Sequence, residues 1–403
     1  MAASGRHVLL LQGPCSWFFT YLGRALRERG ARVTRILLCP GDRLFWRGPG
    51  AVAYRGRPEG WPARLRGLAA RESVTDLVCL GDGRTWHRAA IDTLGPTGIR
   101  IHVVEQGYLR PNWLTIEPDG TGGNSRFPAT PEAVWRLAEA APPAEPPRYR
   151  TSFAANSAMD VAFNLVNLLA ARLLYPHYRT HALDPPFREW AGWLGKAIRY
   201  PWRRAAARAA EARIVAHAGP VFLFALQLET DFQIRLHGPP EGLRTSLAQV
   251  IRSHARHGPP DSLLVVKPHP LDNGWAPWAR IVAEGGPRCL YLDGGSLERL
   301  FLRLAGLVTV NSTAGFSALR AGVPVAALGR AIYGLPGLTW QGGLDGFWTG
   351  AAPPDTALLE ALARALAVTI QVPGNFDGDG AEPGASAVAE RVLHPVFWEG
   401  GHG

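Results

Sequence analysis

The chain has 403 residues, of which 47% are hydrophobic and 19% are charged, so it is long enough for two hydrophobic cores of the usual size, roughly 100 to 200 residues each. Its net charge of +10 favours an anionic partner, which charge alone leaves open between nucleic acid, anionic lipid and phosphorylated small molecules. The four cysteines lack the paired spacing of a disulfide framework or a zinc site. No uninterrupted apolar run reaches the roughly 18 residues that span a bilayer, and the chain starts with a strand pattern instead of a secretion signal, so we expect a cytoplasmic location.

The first part of the chain alternates between strand and helix patterns. Residues 7–13 form an apolar run that ends at a glycine, residues 16–29 have helical spacing, and residues 33–38 are apolar again. Further apolar runs at 76–81 and 101–104 each precede a turn-prone or polar segment. Short apolar runs separated by helices predict a parallel sheet covered by helices.

A second α/β series is predicted after a connecting region. Residues 128–147 are rich in proline, alanine and glutamate, and residues 153–213 read as mainly helical. Strands are then predicted at 221–226, 263–266, 290–292, 307–310 and 323–328. We therefore expect two Rossmann-like α/β domains facing a central cleft: 1–150, a helical connection at 151–215, and 216–370, followed by a glycine-rich tail at 371–403. The sequence shows no internal repeat.

Lys267 is one of only two lysines among the 43 lysine and arginine residues, the other being Lys196. It opens the segment Lys267-Pro268-His269-Pro270 directly after an apolar strand. A compact ammonium approaches a phosphate or an anionic sugar differently from a flat guanidinium. The end of a strand in an open α/β sheet is where ligands bind, so Lys267 and His269 are predicted to bind an anion.

Two neighbouring strand ends carry further polar clusters. Residues 227–231, which include Gln227, Glu229 and Asp231, follow one strand, and residues 311–315, which read Asn311-Ser312-Thr313-Ala314-Gly315, follow another and open a predicted helix at 315–321. The hydroxyls and backbone amides at that helix start can hold a phosphate. An ordinary N-cap is the alternative, and the presence of Lys267 nearby favours the phosphate.

Asp231 and Glu229 place carboxylates beside this predicted anion site. A carboxylate is unfavourable for binding an anion, so a chemical duty as nucleophile or base explains its presence. A salt bridge to Arg235 or a loop cap is equally open.

The first domain carries a corresponding set of polar strand-end residues. They are Asp82, Arg84, His87 and Arg88 after the strand at 76–81, and Glu105, Tyr108 and Arg110 after the strand at 101–104. We interpret them as the acceptor side of the site. Glu105 is placed to act as a general base on an acceptor hydroxyl. The cations can hold an acceptor phosphate, although a surface ion pair is equally open for each arginine.

Two other patterns carry weaker signals. Asp377 and Asp379 resemble a pair of metal-binding carboxylates but lie in the glycine-rich tail, so no metal site is predicted. In the connecting region, Trp190, Trp193, Tyr200 and Trp202 alternate with Lys196, Arg199, Arg203, Arg204 and Arg208. Such a mixture suits the headgroup layer of an anionic membrane as well as a helix that packs its rings inward. The absence of a nucleic-acid-binding signature makes nucleic acid the weakest partner class.

These segments, taken in order, resemble the capsular polysaccharide biosynthesis and export family, specifically its single-module retaining β-Kdo transferases. The resemblance rests on residues 11–14 with 18–19, 81–84 with 87–88, 105–111, 227–231, 267–270, 311–315 and 337–339 with 347–348. The chain departs from the family's usual pattern at Gln106, where an acidic residue is common, and in the tail after Gln371.

The resemblance implies a GT-B-like enzyme that transfers Kdo from CMP-β-Kdo, with retention, to a phosphatidylglycerol-type lipid at the inner membrane. This reaction starts the poly-Kdo linker of capsular polysaccharide, and the capsule export complex is a possible partner. Because the sequence carries no metal motif, we expect no metal or other cofactor. Asp231 matches the family's nucleophile and Glu105 its base, while Lys267, His269, Ser312 and Thr313 match the CMP-phosphate site. His269 is also a candidate catalytic residue there. A transferase for another CMP-activated acid sugar, such as sialic acid, and a non-catalytic export factor stay open as alternatives.

Overall fold

The computed structural model describes residues 5–145, 147–180 and 184–396, which form two compact units. Unit 1 is drawn from Met1–Pro128, Ala140–His181 and Ala363–Gly403, and unit 2 from Ala129–Glu139 and Ala182–Leu362. The predicted helical connection is therefore divided between the units, and the C-terminal tail belongs to unit 1.

The strands and helices account for most of the predicted elements. The strands are β1 His7–Leu10, β2 Arg32–Leu37, β3 Ala51–Ala53, β4 Asp76–Leu80, β5 Arg100–Gln106, β6 Trp113–Pro118, β7 Val221–Ala225, β8 Leu263–Lys267, β9 Cys289–Tyr291, β10 Leu304–Thr309, β11 Val325–Ala327 and β12 Gln371–Pro373. The helices are α1 Phe18–Glu28, α2 Pro40–Leu44, α3 Trp61–Glu72, α4 Thr85–Leu94, α5 Pro131–Ala138, α6 Phe153–Leu174, α7 Pro186–Ile198, α8 Tyr200–Ala216, α9 Phe232–His237, α10 Gly242–His257, α11 Trp278–Ala283, α12 Leu297–Phe301, α13 Thr313–Arg320, α14 Leu344–Gly350, α15 Thr356–Thr369 and α16 Ala381–Leu393.

The two units have the same strand order. In unit 1 five parallel strands run in the order β5-β4-β1-β2-β3, and β6 and then β12 extend the β5 edge with antiparallel pairing. In unit 2 all five strands are parallel, in the order β11-β10-β7-β8-β9. When the five parallel strands of each unit are numbered along the chain, both sheets thus read fifth, fourth, first, second, third, a repeat that the sequence does not display. The predicted α/β class with two Rossmann-like domains is confirmed.

This strand order fixes where a ligand site is expected. From β1 the next strands along the chain are added on one side of the sheet, and from β4 they are added on the other, so the strand order reverses between β1 and β4 in unit 1. In unit 2 it reverses between β7 and β10. The loops that leave the carboxyl ends of two such strands turn to opposite faces of the sheet and leave a crevice between them.

Each sheet is buried on both faces. In unit 1, α1 and α16 cover one face, where Phe18 and Phe376 pack edge to face at 5.0 Å. The other face is covered by α3 and α4, where Trp61 donates a hydrogen bond to the carbonyl of Trp86 at 3.0 Å. In unit 2, Phe222 packs edge to face against Trp348 at 5.1 Å.

The described part of the tail, residues 371–396, contains β12 and α16. Because the tail is rich in glycine, the sequence did not predict the strand that pairs with β6 or the helix that packs on α1. Gly374 has φ +154°, and a Cβ there would lie 2.3 Å from the Cα of Gly384. Part of the glycine content therefore allows close packing between this strand and helix.

Helix α6 in unit 1 is unusually apolar and exposed. It is long and apolar enough to cross a membrane by length and composition, with a mean hydropathy of 1.3 over a window that is 6% buried. The sequence reading missed it because polar residues such as Asp160 and Asn167 interrupt the apolar run. Asn167 accepts a hydrogen bond from the amide of Gly41 at 2.8 Å, and Phe163 packs with Cys39 and Phe45.

Candidate functional site

The ends of β7 and β10 in unit 2 are joined by two hydrogen bonds. The side-chain amide of Gln227 donates to Oδ1 of Asn311 at 2.9 Å, and its carbonyl oxygen accepts from the backbone amide of Asn311 at 3.1 Å. Gln227 is 6% exposed. This pair lies where the strand order reverses, so two residues predicted as donor-binding are held at the expected ligand crevice.

Helix α13 begins immediately after Asn311. The hydroxyl of Ser312 accepts from the amide of Ala314 at 3.1 Å, so Ser312 is the N-cap, and Thr313 is the first helical residue. Helix starts present unpaired amides and a partial positive charge to an anion. The observed cap accounts for the Ser312 hydroxyl in this state, and binding of phosphate here stays a prediction.

Tyr333 supports this turn and was missed from the sequence. Its hydroxyl donates to the carbonyl of Ser312 at 2.5 Å, and its ring is buried against Phe316. A Cβ at Gly315 would lie 2.3 Å from the Tyr333 hydroxyl oxygen. Gly315 is thus explained by the close approach of Tyr333. No local pattern marks a tyrosine 21 residues away along the chain as this partner.

Lys267 ends β8, which is the neighbour of β7 on the side away from β10. Its ammonium donates to the carbonyl of Gly294, in the loop after β9. Burial lowers the pKa of Lys267, while the carboxylate of Asp293 acts in the opposite direction. The structure thus places the three predicted strand ends side by side, and it directs the Lys267 ammonium toward the Gly294 loop.

The remaining predicted residues of unit 2 lie in the loops after β7 and β8. Asp231 precedes α9, and its carbonyl accepts from the amides of Ile234 and Arg235. The Glu229 carboxylate forms an ion pair with Arg244 at 2.9 Å, a different arginine from the one considered from the sequence. In the loop after β8, Nδ1 of His269 accepts from the amide of Leu271 at 3.1 Å. Catalytic roles for Asp231 and His269 stay predictions.

Glu105 in unit 1 lies near the end of β5 beside the turn that follows β4. Thr121 donates a hydrogen bond to its Oε2 at 3.2 Å. Gly81 has φ +66°, and a Cβ there would lie 3.0 Å from Oε1 of Glu105, so a larger residue would crowd the carboxylate. Asp82, the next residue, is buried and accepts from Asn124 at 2.6 Å.

A second carboxyl group, Glu117 on β6, lies close to Glu105 and was missed from the sequence. Tyr108 donates to Glu117 at 3.0 Å, and the hydroxyl of Ser125 donates to its other oxygen. Burial, together with the nearby charges of Glu105 and Asp82, raises the pKa of Glu117 to about 8 against the lowering effect of these hydrogen bonds. Glu117 is therefore mainly protonated at neutral pH. Tyr108, predicted on the acceptor side, connects it to the loop at Gly122, whose amide donates to the Tyr108 hydroxyl at 2.8 Å.

The predicted cations of unit 1 occupy different environments. Arg84 lies within hydrogen-bonding distance of Gln12 and the carbonyl of Gly13, next to the reversal between β1 and β4. His87 is fully buried and donates from Nδ1 to the carbonyl of Leu80 at 2.9 Å; burial and nearby Arg84 lower its pKa to about 3, so it is neutral. Arg88 pairs with Asp92 on the exposed surface, which is the alternative considered for it.

Arg110 lies in the loop between β5 and β6, and its Nε donates to the carbonyl of Gly107 at 3.3 Å. Within the described residues no group of three or more histidine, cysteine, aspartate or glutamate side chains is arranged to hold a metal ion. Asp379, in the tail, accepts from the amide of Arg150 at 2.6 Å.

The aromatic and basic residues of the connecting region divide between two faces. Tyr200 and Trp202 are exposed, whereas Trp190 and Trp193 are half-buried. Among the cations, Lys196 and Arg203 point toward the loops after β8 and β9: Lys196 is 6% exposed and donates to the carbonyl of Asp272, and Arg203 forms two bonds of 2.7 Å to Asp293. Arg204 and Arg208 are exposed. The inner face fits the packing interpretation offered from the sequence, whereas the membrane interpretation stays a prediction for the exposed face.

Residues 75–377 match the family described as capsule polysaccharide biosynthesis protein. Over 383 residues the chain is 30% identical to the capsule polysaccharide export protein KpsS of Escherichia coli, with 92% of this chain and 96% of that protein covered. It is also 30% identical over 389 residues to the capsule polysaccharide modification protein LipB of Neisseria meningitidis serogroup A, covering 93% and 92%.

Among solved structures, the beta Kdo 2,7 transferase of Thermosulfurimonas dismutans KpsC aligns with 96% of this chain and 99% of its own, at 15% identity and a TM-score of 0.45. The family resemblance noted in the sequence is confirmed by the match to residues 75–377 and by the two relatives. The chain belongs to the capsule polysaccharide biosynthesis protein family.

Proposed function

We propose that this protein is a retaining glycosyltransferase that moves β-Kdo from CMP-β-Kdo to a phosphatidylglycerol-type lipid at the inner membrane, where it starts the linker of a capsular polysaccharide. The observation that carries the proposal is the Gln227–Asn311 pair at the strand reversal of unit 2, with the start of α13 on one side and Lys267 on the other. Amides, hydroxyls and an ammonium at adjacent strand ends suit a phosphate that carries negative charge.

The departing CMP is the group that these residues would stabilise. Bond cleavage places negative charge on the CMP phosphate, and preorganised donors are most effective where charge develops. Lys267, His269 and the first amides of α13 supply such donors without the need for a metal. Partial burial of Lys267 strengthens its interaction with an anion because less water screens it.

Retention of configuration is explained by two successive inversions. In the first, a carboxylate oxygen of Asp231 bonds to the anomeric carbon while the bond from that carbon to the CMP phosphate oxygen breaks and CMP leaves with the electron pair. In the second, the acceptor hydroxyl oxygen bonds to the same carbon, its proton passes to Glu105, and the Asp231 carboxylate is released. In this scheme Thr121 orients Glu105 through the 3.2 Å hydrogen bond to its carboxylate.

CMP release from CMP-Kdo by the purified chain, in the presence and absence of a phosphatidylglycerol analogue, tests the reaction. We expect acceptor-dependent release together with a lipid product whose mass increases by one Kdo residue. If neither product forms where a family enzyme is active, the proposed reaction is wrong. Competition by CMP-sialic acid tests the alternative donor, which is favoured if it reacts faster than CMP-Kdo.

Asp231→Ala tests the nucleophile, with Asp261→Ala as a control because Asp261 is an exposed carboxylate of the same unit. We expect a loss of at least a thousandfold in turnover for Asp231→Ala and little change for the control. Normal transfer by Asp231→Ala removes the nucleophile assignment but leaves the reaction class intact. An export factor without turnover, the remaining alternative, is favoured if changes of Asp231 and of Lys267 both leave capsule output in cells normal.

A further inference from the structure

Helices α7 and α8 in unit 2 present an apolar outer face to solvent. On α7, Phe187, Leu194 and Ile198 are spaced by seven and four residues, lie on one side of the helix and are each 63% exposed. At the start of α8, Trp202 is 70% exposed and Tyr200 is 55% exposed. Large side chains exposed in such a stripe mark a docking surface.

Exposed arginines on α8 and at the turn before it indicate the charge of the partner. They are Arg199, Arg204, Arg208 and Arg213, all of which are exposed. Apolar side chains next to arginines, with a tryptophan at their boundary, are typical of helices that lie in the headgroup layer of an anionic bilayer.

The inner face of α7 holds the loop that follows Lys267. Nζ of Lys196 donates to the carbonyl of Asp272 at 2.6 Å, and the Asp272 amide in turn donates to the carbonyl of His269 at 2.9 Å. Trp275, farther along the same loop, donates to the carbonyl of Arg188 on α7 at 2.9 Å. The segment that carries His269 is therefore attached to α7 at two points.

The inner face of α8 holds the loop that accepts the Lys267 ammonium. Arg203 binds both oxygens of Asp293 at 2.7 Å, and the next residue, Gly294, supplies the carbonyl to which Lys267 donates. Gly294 also lies against α8, since a Cβ there would be 2.9 Å from the Cβ of Ala207. Both loops at this edge of the sheet are thus held by the same pair of helices.

We propose that an anionic bilayer docks on the outer face of α7 and α8 and that this docking, through Lys196 and Arg203, fixes the loops that carry His269 and hold Lys267. The nucleotide site then binds its ligand more tightly on a membrane than in solution. The identity of that ligand rests on the proposed function. If the membrane has a higher affinity for one arrangement of the helices, its binding stabilises that arrangement. The coupling is reciprocal, so the nucleotide strengthens membrane binding by the same factor.

Vesicle sedimentation tests the surface. We expect the full chain to bind phosphatidylglycerol-containing vesicles at least tenfold more tightly than pure phosphatidylcholine vesicles. The double variant Leu194→Glu/Ile198→Glu should lose at least tenfold in affinity. The control is Leu302→Glu, an exposed leucine of the same unit outside α7 and α8, which should bind as the wild type does. Loss of binding by Leu169→Glu/Leu173→Glu on the competing helix α6 but not by the α7 variant, or a dimer that only the α7 variant disrupts with no vesicle binding by the wild type, overturns the proposed surface.

Titration with CMP, with and without the anionic vesicles, tests the coupling. We expect several-fold tighter CMP binding on vesicles, and vesicle binding strengthened by CMP to the same extent. Asp293→Asn and Arg203→Gln should keep vesicle binding but lose the response of CMP affinity; two variants guard against a folding defect in one. Equal CMP affinity in both conditions, with vesicle binding intact, refutes the coupling. Failure to bind CMP in either condition refutes the proposed donor as well, while sedimentation still decides the surface.

Discussion

Gln227 and Asn311 exchange two hydrogen bonds across the ends of β7 and β10, at 2.9 and 3.1 Å, where the strand order of unit 2 reverses. One bond engages the Asn311 side chain and the other its backbone. Gln227 therefore fixes both the residue that precedes the Ser312 cap and the direction in which α13 begins. The pair explains how polar residues predicted separately act on one turn.

Asn311→Ala is expected to weaken CMP binding about tenfold, because it leaves the buried Gln227 amide without its side-chain acceptor and loosens the turn before α13, at a cost of about 1–2 kcal/mol. Calorimetric titration with CMP measures the loss. Gln249→Ala, on the exposed face of α10 in the same unit, serves as the control for a general effect on folding. Unchanged CMP affinity in Asn311→Ala would contradict a ligand site at this turn.

Lys267→Met and Lys267→Arg should both reduce CMP affinity by tenfold or more. A hydrogen bond to a charged group contributes about 1.5–3 kcal/mol, which methionine removes. Arginine keeps the charge, but its planar group does not fit the donation to Gly294 that positions the ammonium. Arg280→Gln removes an exposed charge from the same unit and should have little effect. If Lys267→Arg binds CMP as tightly as the wild type in the same calorimetric titration, only the positive charge is required at this position.

Glu117→Gln is expected to remove a pH dependence of stability. Folding raises the pKa of Glu117 from 4.5 to about 8, so the folded state binds its proton more tightly than the unfolded state. The resulting stabilisation is fully present below about pH 4.5 and is lost as pH rises through about 8. In thermal melts between pH 5 and 9, the melting temperature of the wild type should decline as pH rises, and that of the variant should change less. Parallel profiles would mean that Glu117 is ionised throughout this range.

Strand patterns and strand-end motifs could be predicted from the sequence, because buried parallel strands are short apolar runs and their polar ends are adjacent in the chain. Partners that depend on distant contacts could not. Lys196 reads as one more surface cation beside Arg199, yet it is buried on the carbonyl of Asp272, 76 residues away. Strand β6, with its buried Glu117, also escaped prediction because it contains a charged residue and a terminal proline.

Asp76→Asn should destabilise the chain by about 3–5 kcal/mol, the usual effect of breaking a buried ion pair. Asp76 is fully buried at the start of β4, where it accepts from Arg6 at 2.6 and 2.7 Å, from Arg100 at 2.9 Å and from His102 at 2.9 Å. Burial alone would raise its pKa, but these donors outweigh that effect and lower it below the ordinary value of 3.8. The stabilisation by Asp76 is therefore present above about pH 4 and is lost as pH falls toward the lower folded-state pKa.

Urea unfolding at pH 7 and pH 3 measures this effect of Asp76. The difference in free energy of unfolding between wild type and Asp76→Asn should be smaller at the lower pH. Asp92→Asn, an exposed control, should change stability by less than about 0.5 kcal/mol. An Asp76→Asn variant as stable as the wild type at pH 7 would contradict the assigned network.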